Sequence, residues 1–262
     1  MTKEKIGLGI VTYKRPEYFK KIFSSVPLGV VDEIVVVNDG TPYDQKIDVP
    51  LIQHETNKGV GISKNDAFRH LLNKGCDYIF LMEDDIIIKN PEVFQAYIDA
   101  YKKTGIHHFN YSQHGLMNKY PNTNTPAPRN IVEYSKDTQI ALYMHCVGAF
   151  CFYTRKCLEE IGLIDEAFYN ASEHLEHTFR IINANMHPPF WWFADLKNSN
   201  SYLEDIPWTR ESSTISSNPN HNKTVNDSYN HFKKIYKHGI LEIPNTPLSV
   251  VQSKLKEIYK NK

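Results

Sequence analysis

The chain has 262 residues, of which 41% are hydrophobic and 23% charged. This suits a globular protein with one large or two small domains and a substantial core. Thirty basic side chains balance thirty acidic ones, so no net charge attracts nucleic acid, which is not expected as a partner. No apolar run reaches the length of a membrane span, and no signal peptide precedes the first strand, so we expect a cytoplasmic protein. The four cysteines lack metal-ligand spacing and are expected as reduced thiols.

Strand and helix patterns alternate in the first part of the chain. Short apolar runs predict strands at 6–11, 33–37, 51–54 and 78–82. The segments between and after them predict helices at 17–25, 59–73 and 91–103. This alternation predicts an α/β fold with a mostly parallel central sheet and flanking helices.

The second part of the chain is less regular. An apolar stretch at 139–153, broken at Gly148, predicts strands, and 189–194 predicts an aromatic strand or turn. Helices are predicted at 155–161, 175–185 and 248–260. Polar residues predict loops at 118–130 and 211–226, the second of them flexible. We predict a main domain at 1–228, with halves at about 1–105 and 106–228, and a basic helical extension at 229–262.

The most informative run comes directly after the predicted strand at 78–82, where Glu83, Asp84 and Asp85 are consecutive. Adjacent carboxylates repel one another, so stability alone does not explain them. Their oxygens are the ligands that Mg²⁺ and Mn²⁺ prefer, and these cations in turn hold phosphate oxygens. The alternative interpretation is a solvated acidic turn between two elements.

Polar residues also follow two other predicted strands, at Thr12-Tyr13 and at Asn38-Asp39. The carboxyl ends of parallel strands share one edge of a sheet, so these residues should line one crevice with the acidic run. A tyrosine ring and a carboxylate there can receive a nucleobase. Each pair alone is typical of a helix cap or a turn, but together with the acidic run they favour a nucleotide site.

These segments resemble the donor half of family 2 glycosyltransferases of GT-A fold. The resemblance lies in GIVTYKRP at 9–16, EIVVVNDG at 33–40, NKGVGISKN at 57–65 and EDD at 83–85. Segments 148–168 and 172–180 resemble the acceptor half of the same family. The resemblance covers roughly residues 5–185, and it implies a GT-A fold and the transfer of a sugar from a nucleotide-diphosphate sugar.

The resemblance also implies roles for individual residues. The nucleotide pocket would include Thr12, Tyr13 and Arg15, and Asp39 would accept a hydrogen bond from the base. Other donor contacts would come from Asn65, near the ribose or phosphates, from Asp84 at the ribose, and from Gly148. The metal, Mn²⁺ or Mg²⁺, would be held by Glu83, Asp85 and the late histidine His221, and a UDP-sugar is the first expectation for the donor.

The catalytic base is the point at which this chain departs from the family. Family members commonly place Glu-Asp at the start of a helix in the second half and use the aspartate as base, whereas this chain has Glu173-His174. An inverting transfer needs a group that takes the proton of the acceptor hydroxyl. We retain Glu173 as first candidate, Glu176 as second because it lies near the same helical face, and His174 as a base, a metal or phosphate contact, or a residue without chemistry.

The expected function is therefore a metal-dependent inverting glycosyltransferase. Its acceptor would be a glycan or lipid-linked glycan of a bacterial surface polymer. The basic tail would place it peripherally at the inner face of the membrane, or would be a solvated helix face. Alternatives are the same chemistry on a protein or a modified nucleobase, and an inactive glycan- or nucleotide-binding module. A nucleotidyltransferase is disfavoured because no Gly-rich loop follows the first strand.

Overall fold

The computed structural model describes residues 3–44, 46–207, 213–214 and 217–262. Its strands are β1 (Ile6–Thr12), β2 (Glu33–Asn38), β3 (Leu51–Gln53), β4 (Tyr78–Glu83), β5 (Ile86–Ile88), β6 (His108–Asn110), β7 (Asn130–Ser135), β8 (Thr138–Tyr143), β9 (Phe150–Thr154), β10 (Phe193–Leu196) and β11 (Leu203–Asp205). Its α-helices are α1 (Pro16–Phe23), α2 (Val60–Asn73), α3 (Val93–Thr104), α4 (Arg155–Ile161), α5 (Glu173–Asn183), α6 (His221–Tyr236) and α7 (Leu248–Lys260).

The central sheet has six strands in the order β3-β2-β1-β4-β9-β6. Strands β3, β2, β1 and β4 are mutually parallel, whereas β9 runs antiparallel to both β4 and β6. The expected α/β fold with a mostly parallel sheet is confirmed. Because β9 is reversed, its beginning lies at the edge where β1, β2, β4 and β6 end, so residues just before β9 join the crevice.

Alternate residues of the central strands enter two different cores, which shows that both faces of the sheet are covered. In β4, Phe80 and Met82 belong to a cluster with residues of α1, α3 and α7. Their neighbours Ile79 and Leu81 belong to a second cluster with residues of α2, α4 and α5. The apolar content of β4 is therefore continuous along the strand, as expected for a strand buried on both faces.

Most predicted elements are present, and the differences concern four strands and one loop. Strands β5, β6, β7 and β11 were not predicted, since most of them have only three residues and carry no readable period. The loop predicted at 211–226 is wrong from 221 onward, where α6 begins; residues 211–212 and 215–216 lie outside the described residues. Phe232 on α6 packs edge-on against Phe179, and this tertiary contact stabilises a helix whose polar composition suggests a loop.

The C-terminal segment is part of the main body. The boundary predicted between residues 228 and 229 falls inside α6. The predicted helix at 248–260 is confirmed as α7, and its residues Val251, Leu255 and Ile258 are buried in the larger core. Among the described residues, no helix has both the length and the apolar character required to cross a membrane.

Close packing of α2 on β1 depends on Gly9. A Cβ built at this position would lie 2.7 Å from Cβ of Ala67 and 2.9 Å from Cδ2 of Leu81. We predict that Gly9→Ala lowers the free energy of unfolding by about 1–3 kcal/mol, the usual cost of overpacking. Urea denaturation is the measurement, with Gly29→Ala as the control, because a Cβ at Gly29 meets nothing within 4 Å. Equal stabilities of the two variants would contradict the close approach.

Candidate active site

Strand ends and loops meet at one edge of the central sheet. The amide of Glu83, at the end of β4, donates to Ala149 O at 2.8 Å, and the amide of Tyr111, just after β6, donates to Phe150 O at 2.8 Å. On the other side of β4, β1 ends at Thr12, whose carbonyl accepts from the amide of Asp39 at 2.9 Å. The polar strand ends predicted from the sequence are therefore together at this edge, which we call the crevice.

Arg15 forms ion pairs with two carboxylates of the acidic run. Its guanidinium pairs with Asp84 and, at 3.2 Å, with Asp85. Asp84 also accepts from Thr12 Oγ1 at 2.6 Å and from the amide of Tyr13 at 3.3 Å. Burial, only partly offset by Arg15, raises the pKa of Asp84 to about 7. Asp84 is 1% exposed, so it anchors the ends of β1 and β4, and its predicted contact with the ribose stays a prediction.

Lys64 connects the end of β4 to the start of α5. Its Nζ lies 2.7 Å from Glu83 Oε1 and 3.1 Å from Glu173 Oε1, and it donates to Gly148 O at 3.2 Å. The side chain is 2% exposed. Burial lowers the pKa of Lys64, but the charges of Glu83 and Glu173 outweigh burial and hold this pKa above its ordinary value. Lys64 is therefore a buried ammonium group shared between two carboxylates and a carbonyl.

Glu173 and Gly148, which both contact Lys64, also contact the ring of His174. Burial raises the pKa of Glu173, yet Lys64 and His174 together hold it well below the usual range. His174 Nδ1 lies 3.1 Å from Glu173 Oε1. The imidazole packs directly against Gly148, where a Cβ would lie 2.7 Å from its Cγ. Glu173 therefore fixes the ring through Nδ1, which leaves Nε2 as the nitrogen that can exchange protons.

Glu176 is not available as a base. It is 2% exposed, and Arg180 donates to it through Nε at 2.9 Å and through a terminal nitrogen at 3.2 Å. Tyr236 of α6 also donates its hydroxyl to Glu176. These contacts connect α5 to α6, so the structure corrects the prediction that Glu176 serves as second candidate base.

Asn65 is also in a structural position. It is 1% exposed, and its side-chain amide donates to Ile164 O at 2.9 Å and to Glu166 at 3.0 Å. Its side-chain oxygen accepts from the amide of Ile164 at 2.9 Å. The amide group thus holds the segment between α4 and α5, and the predicted contact of Asn65 with the ribose or the phosphates stays a prediction.

Asp39 lies at the end of β2 and organises the chain that leads into α2. Its Oδ1 accepts from the amide of Lys58 at 2.7 Å, and its Oδ2 accepts from the amide of Gly59 at 2.9 Å. His54 Nδ1 is also 2.7 Å from Asp39. Next to Asp39, the ring of Tyr13 packs against Gly40, where a Cβ would lie 3.1 Å from it. The donor role of Asp39 and Tyr13 stays a prediction.

A cavity of about 570 Å³ flanks this region. It lies between the start of α1 and the loop at 41–44, and Lys14, Pro16 and Tyr43 are among its lining residues. Tyr43 connects the cavity wall to the crevice, because its hydroxyl lies 2.8 Å from Thr12 Oγ1. The acidic run is not part of the lining, so the cavity is a neighbour of the crevice and not the crevice itself.

The predicted three-residue metal site is not assembled. Among the described residues, no group of three His, Cys, Asp or Glu side chains is close enough to hold a metal ion. His221 is the first residue of α6, and its buried Nδ1 has no hydrogen-bond partner in the described part of the chain. The set of Glu83, Asp85 and His221 does not form a three-residue cluster here, and its role as the metal site stays a prediction.

A divalent cation nevertheless fits the chemistry of the acidic run. Asp85 Oδ1 is buried and has no hydrogen-bond partner among the described residues. When Glu83, Asp84, Asp85 and Glu173 are all ionised, these four carboxylates face two basic side chains, which leaves two negative charges. Mg²⁺-type cations are commonly held by one or two carboxylates and completed by substrate phosphates. Asp85, with Glu83 beside it, would hold such an ion.

Sequence reasoning overlooked Lys64. A signal for it exists, because Lys64, Ala67, Phe68 and Leu71 follow the spacing of one helical face, and that face is buried. A lysine on a buried face requires carboxylate partners. The acidic partners are 19 and 109 residues away along the chain, so only the folded structure identifies them.

The chain has relatives among known proteins, although no protein-family model matches it. It is similar to an uncharacterized glycosyltransferase of Acanthamoeba polyphaga mimivirus, with 25% identity over 232 residues that cover 80% of this chain and 85% of the relative. Two solved structures resemble it in fold. The mannosyltransferase PcManGT of Pyrobaculum calidifontis, in complex with GDP-Man and Mn²⁺, has a TM-score of 0.54 and 12% identity over 99% of this chain and 70% of that chain.

The second structure is a Drosophila β-1,4-galactosyltransferase 7 in complex with manganese, UDP-Gal and xylobiose. It has a TM-score of 0.52 and 14% identity, and the match covers 85% of this chain and 79% of that chain. The comparisons confirm the expected GT-A fold, and the sequence relative supports the expected enzyme class, a glycosyltransferase.

The Lys64 network predicts a pH-dependent stability change. Lys64→Met leaves Glu83 and Glu173 without their shared cation, so we expect the free energy of unfolding at pH 7 to fall by about 3–5 kcal/mol. In the wild-type protein, the depressed pKa of Glu173 stabilises the fold at pH values above the ordinary carboxylate pKa. This stabilisation is lost as the pH falls through the depressed pKa. In the Lys64→Met variant, burial raises the pKa of Glu173 because Lys64 no longer opposes it. The difference in unfolding free energy between wild type and variant should therefore become smaller between pH 7 and about pH 4.5.

Denaturant unfolding at the two pH values measures this effect. The matched control is Lys102→Met, because Lys102 pairs with Glu4 at 2.6 Å on the exposed surface. It should cost at most about 1 kcal/mol. A Lys64→Met deficit that is as small as the control, or that is constant with pH, would contradict the buried network.

Proposed function

We propose that this chain is a metal-dependent glycosyltransferase that moves a sugar from a nucleotide-diphosphate sugar to a hydroxyl acceptor with inversion at the anomeric carbon. The observation that carries the proposal is the position of Lys64, which contacts Glu83 of the acidic run and Glu173 of the α5 start. A phosphate-handling group and a proton-accepting group are thereby held on two sides of one crevice. The mimivirus relative and the GT-A fold support the same reaction class.

His174 is the base in this proposal. A general base works best when its proton affinity suits neutral pH, and the carboxylate of Glu173 is a weak acceptor because Lys64 and His174 hold its pKa well below the usual range. Glu173 instead orients the imidazole through Nδ1. The hydroxyl oxygen of the acceptor attacks the anomeric carbon, its proton passes to Nε2 of His174, and the bond from this carbon to the diphosphate oxygen breaks.

The donor end of the crevice is supplied by the acidic run and by Arg15. A bound Mn²⁺ or Mg²⁺ would neutralise negative charge on the departing diphosphate, and Asp85 and Glu83 would hold it. Within the protein, Arg15 forms ion pairs with Asp84 and Asp85. Tyr13 and Asp39 would receive the nucleobase, with a UDP-sugar as the first donor to test. The acceptor in this proposal is a glycan hydroxyl, and the bacterial surface polymer stays a prediction.

The metal requirement gives a first test of the proposed function. Purified protein is incubated with a panel of UDP- and GDP-sugars, with Mn²⁺ or with EDTA, and the released nucleoside diphosphate is measured. We predict release from at least one donor with Mn²⁺ and little with EDTA. Asp85→Asn should reduce release by about 10²–10³-fold, because the departing charge loses a stabilising partner.

Two outcomes of this assay would count against the proposal. Full release in EDTA would contradict the metal requirement. Binding of a nucleotide sugar without any release, with or without glycan acceptors, would favour the inactive binding module. Asp99→Asn is the matched control, since Asp99 is on the exposed face of α3 where it accepts from Gln95 at 2.7 Å, and it should release at the wild-type rate.

The base assignment gives a second test. We predict that His174→Ala lowers the transfer rate by about 10²–10⁴-fold, the usual contribution of a general base, with little change in donor affinity. Gly148→Ala should also slow transfer, because its Cβ would displace the imidazole without removing a functional group. Single-turnover rates and calorimetric donor affinity are the measurements. A fast His174→Ala variant together with an inactive Glu173→Gln variant would make the carboxylate the base.

A further inference from the structure

A second histidine–carboxylate pair lies at the same edge of the central sheet, outside the set of residues already assigned. His114 follows β6, and its Nδ1 lies 3.0 Å from Asp205 Oδ1. The other oxygen of Asp205 accepts from the amide of Gly115 at 2.9 Å. The turn that carries His114 begins at Tyr111, whose amide is bonded to Phe150 O at the crevice edge. The pair is thus fixed on both sides by backbone hydrogen bonds.

Asp205 brings this pair next to the acidic run. It is the last residue of β11, which pairs antiparallel with β5, and β5 begins one residue after Asp85. The amide of Ile206 donates to the backbone carbonyl of Asp85 at 2.8 Å. Asp205 and Asp85 are therefore held on two chain segments that are hydrogen-bonded to each other, and His114 is bonded to the side chain of Asp205. The side chain of His114 is 15% exposed, so part of the ring remains accessible from solvent.

The electrostatic surroundings keep His114 positively charged. Burial disfavours the charged ring, but the hydrogen bond to Asp205 and the charges of Asp85 and Glu83 outweigh it and raise the pKa of His114 to about 9. Asp205 occupies Nδ1, and Nε2 has no protein partner among the described residues. An N–H with positive charge is thus left beside the carboxylates that would hold the donor's metal.

We propose that His114 binds the diphosphate group of the donor through its Nε2 N–H, and that Asp205 positions the ring for this contact. The inference rests on the proposed function, because it requires a nucleotide diphosphate in the crevice. Hydrogen bonds to charged groups are stronger than neutral ones, and positive charge at this point stabilises the diphosphate as its bond to the sugar breaks.

The test compares diphosphate with monophosphate binding, without any turnover. Titration calorimetry with Mn²⁺ measures UDP and UMP, and GDP and GMP serve as a second pair. We expect His114→Gln to weaken nucleoside diphosphate binding by about 10–100-fold, the range for a charged hydrogen bond, and to leave monophosphate binding within about threefold. Asp205→Asn should shift the same ratio in the same direction. The selective loss is a readout that a purely structural pair would not produce.

His231→Gln is the matched control. His231 lies 2.8 Å from Asp165 on another part of the molecule and is 28% exposed, so the variant removes a histidine–carboxylate contact outside the crevice. It should leave both affinities unchanged. Equal weakening of diphosphate and monophosphate binding in His114→Gln, or no weakening of either, would overturn the assignment of His114. Asp85→Asn would still test the proposed function separately. If the wild-type protein binds neither nucleoside diphosphate, the proposed function fails and this inference fails with it.

Discussion

The buried ammonium group of Lys64 is the interaction on which the rest of the crevice depends. A cation that is 2% exposed would be strongly destabilising without its partners, and each of its two carboxylates would be destabilising without the cation. Glu83 ends β4 and Glu173 begins α5. Their shared ion pairs with Lys64 therefore hold these two elements in a fixed relative position. The carbonyl of Gly148 completes the contact and sets the place of the His174 ring.

The same charge balance explains how a cluster of carboxylates persists at a strand end. Arg15 faces Asp84 and Asp85, and Lys64 faces Glu83 and Glu173, so the repulsion within the acidic run is largely compensated by the chain. The compensation is incomplete, and Asp85 retains a buried oxygen without a partner among the described residues. A site of this kind favours a divalent cation that arrives with phosphate oxygens over one held by protein ligands alone.

Reversal of β9 gives the crevice its second wall. In an all-parallel sheet only strand ends would meet at this edge, whereas here the beginning of β9 joins them. The chain segment before β9 carries Gly148, and the absence of a Cβ there lets the imidazole of His174 rest on the backbone. The short β11 then adds Asp205 and His114 beside the acidic run. Two histidines, each held through Nδ1 by a carboxylate, consequently face the crevice from different sides.

The sequence by itself determined the fold class, most of the longer strands and helices, and the edge of the sheet at which the polar strand ends meet. Apolar periodicity and polar residues at strand ends are local signals, which can be read from the sequence without knowing the tertiary contacts of each residue. It did not determine which polar side chains are already engaged, because the buried partners of Glu176, Asp84 and Asn65 are known only from the fold.

Only the tertiary structure decided these assignments. It identified Lys64 and the His114–Asp205 pair, and it replaced a predicted loop by α6. The physical reason is that burial and charge pairing arise between residues far apart in the chain, such as Lys64 and Glu173 at a separation of 109 residues. A carboxylate's proton affinity and availability depend on such contacts, and no local pattern encodes them.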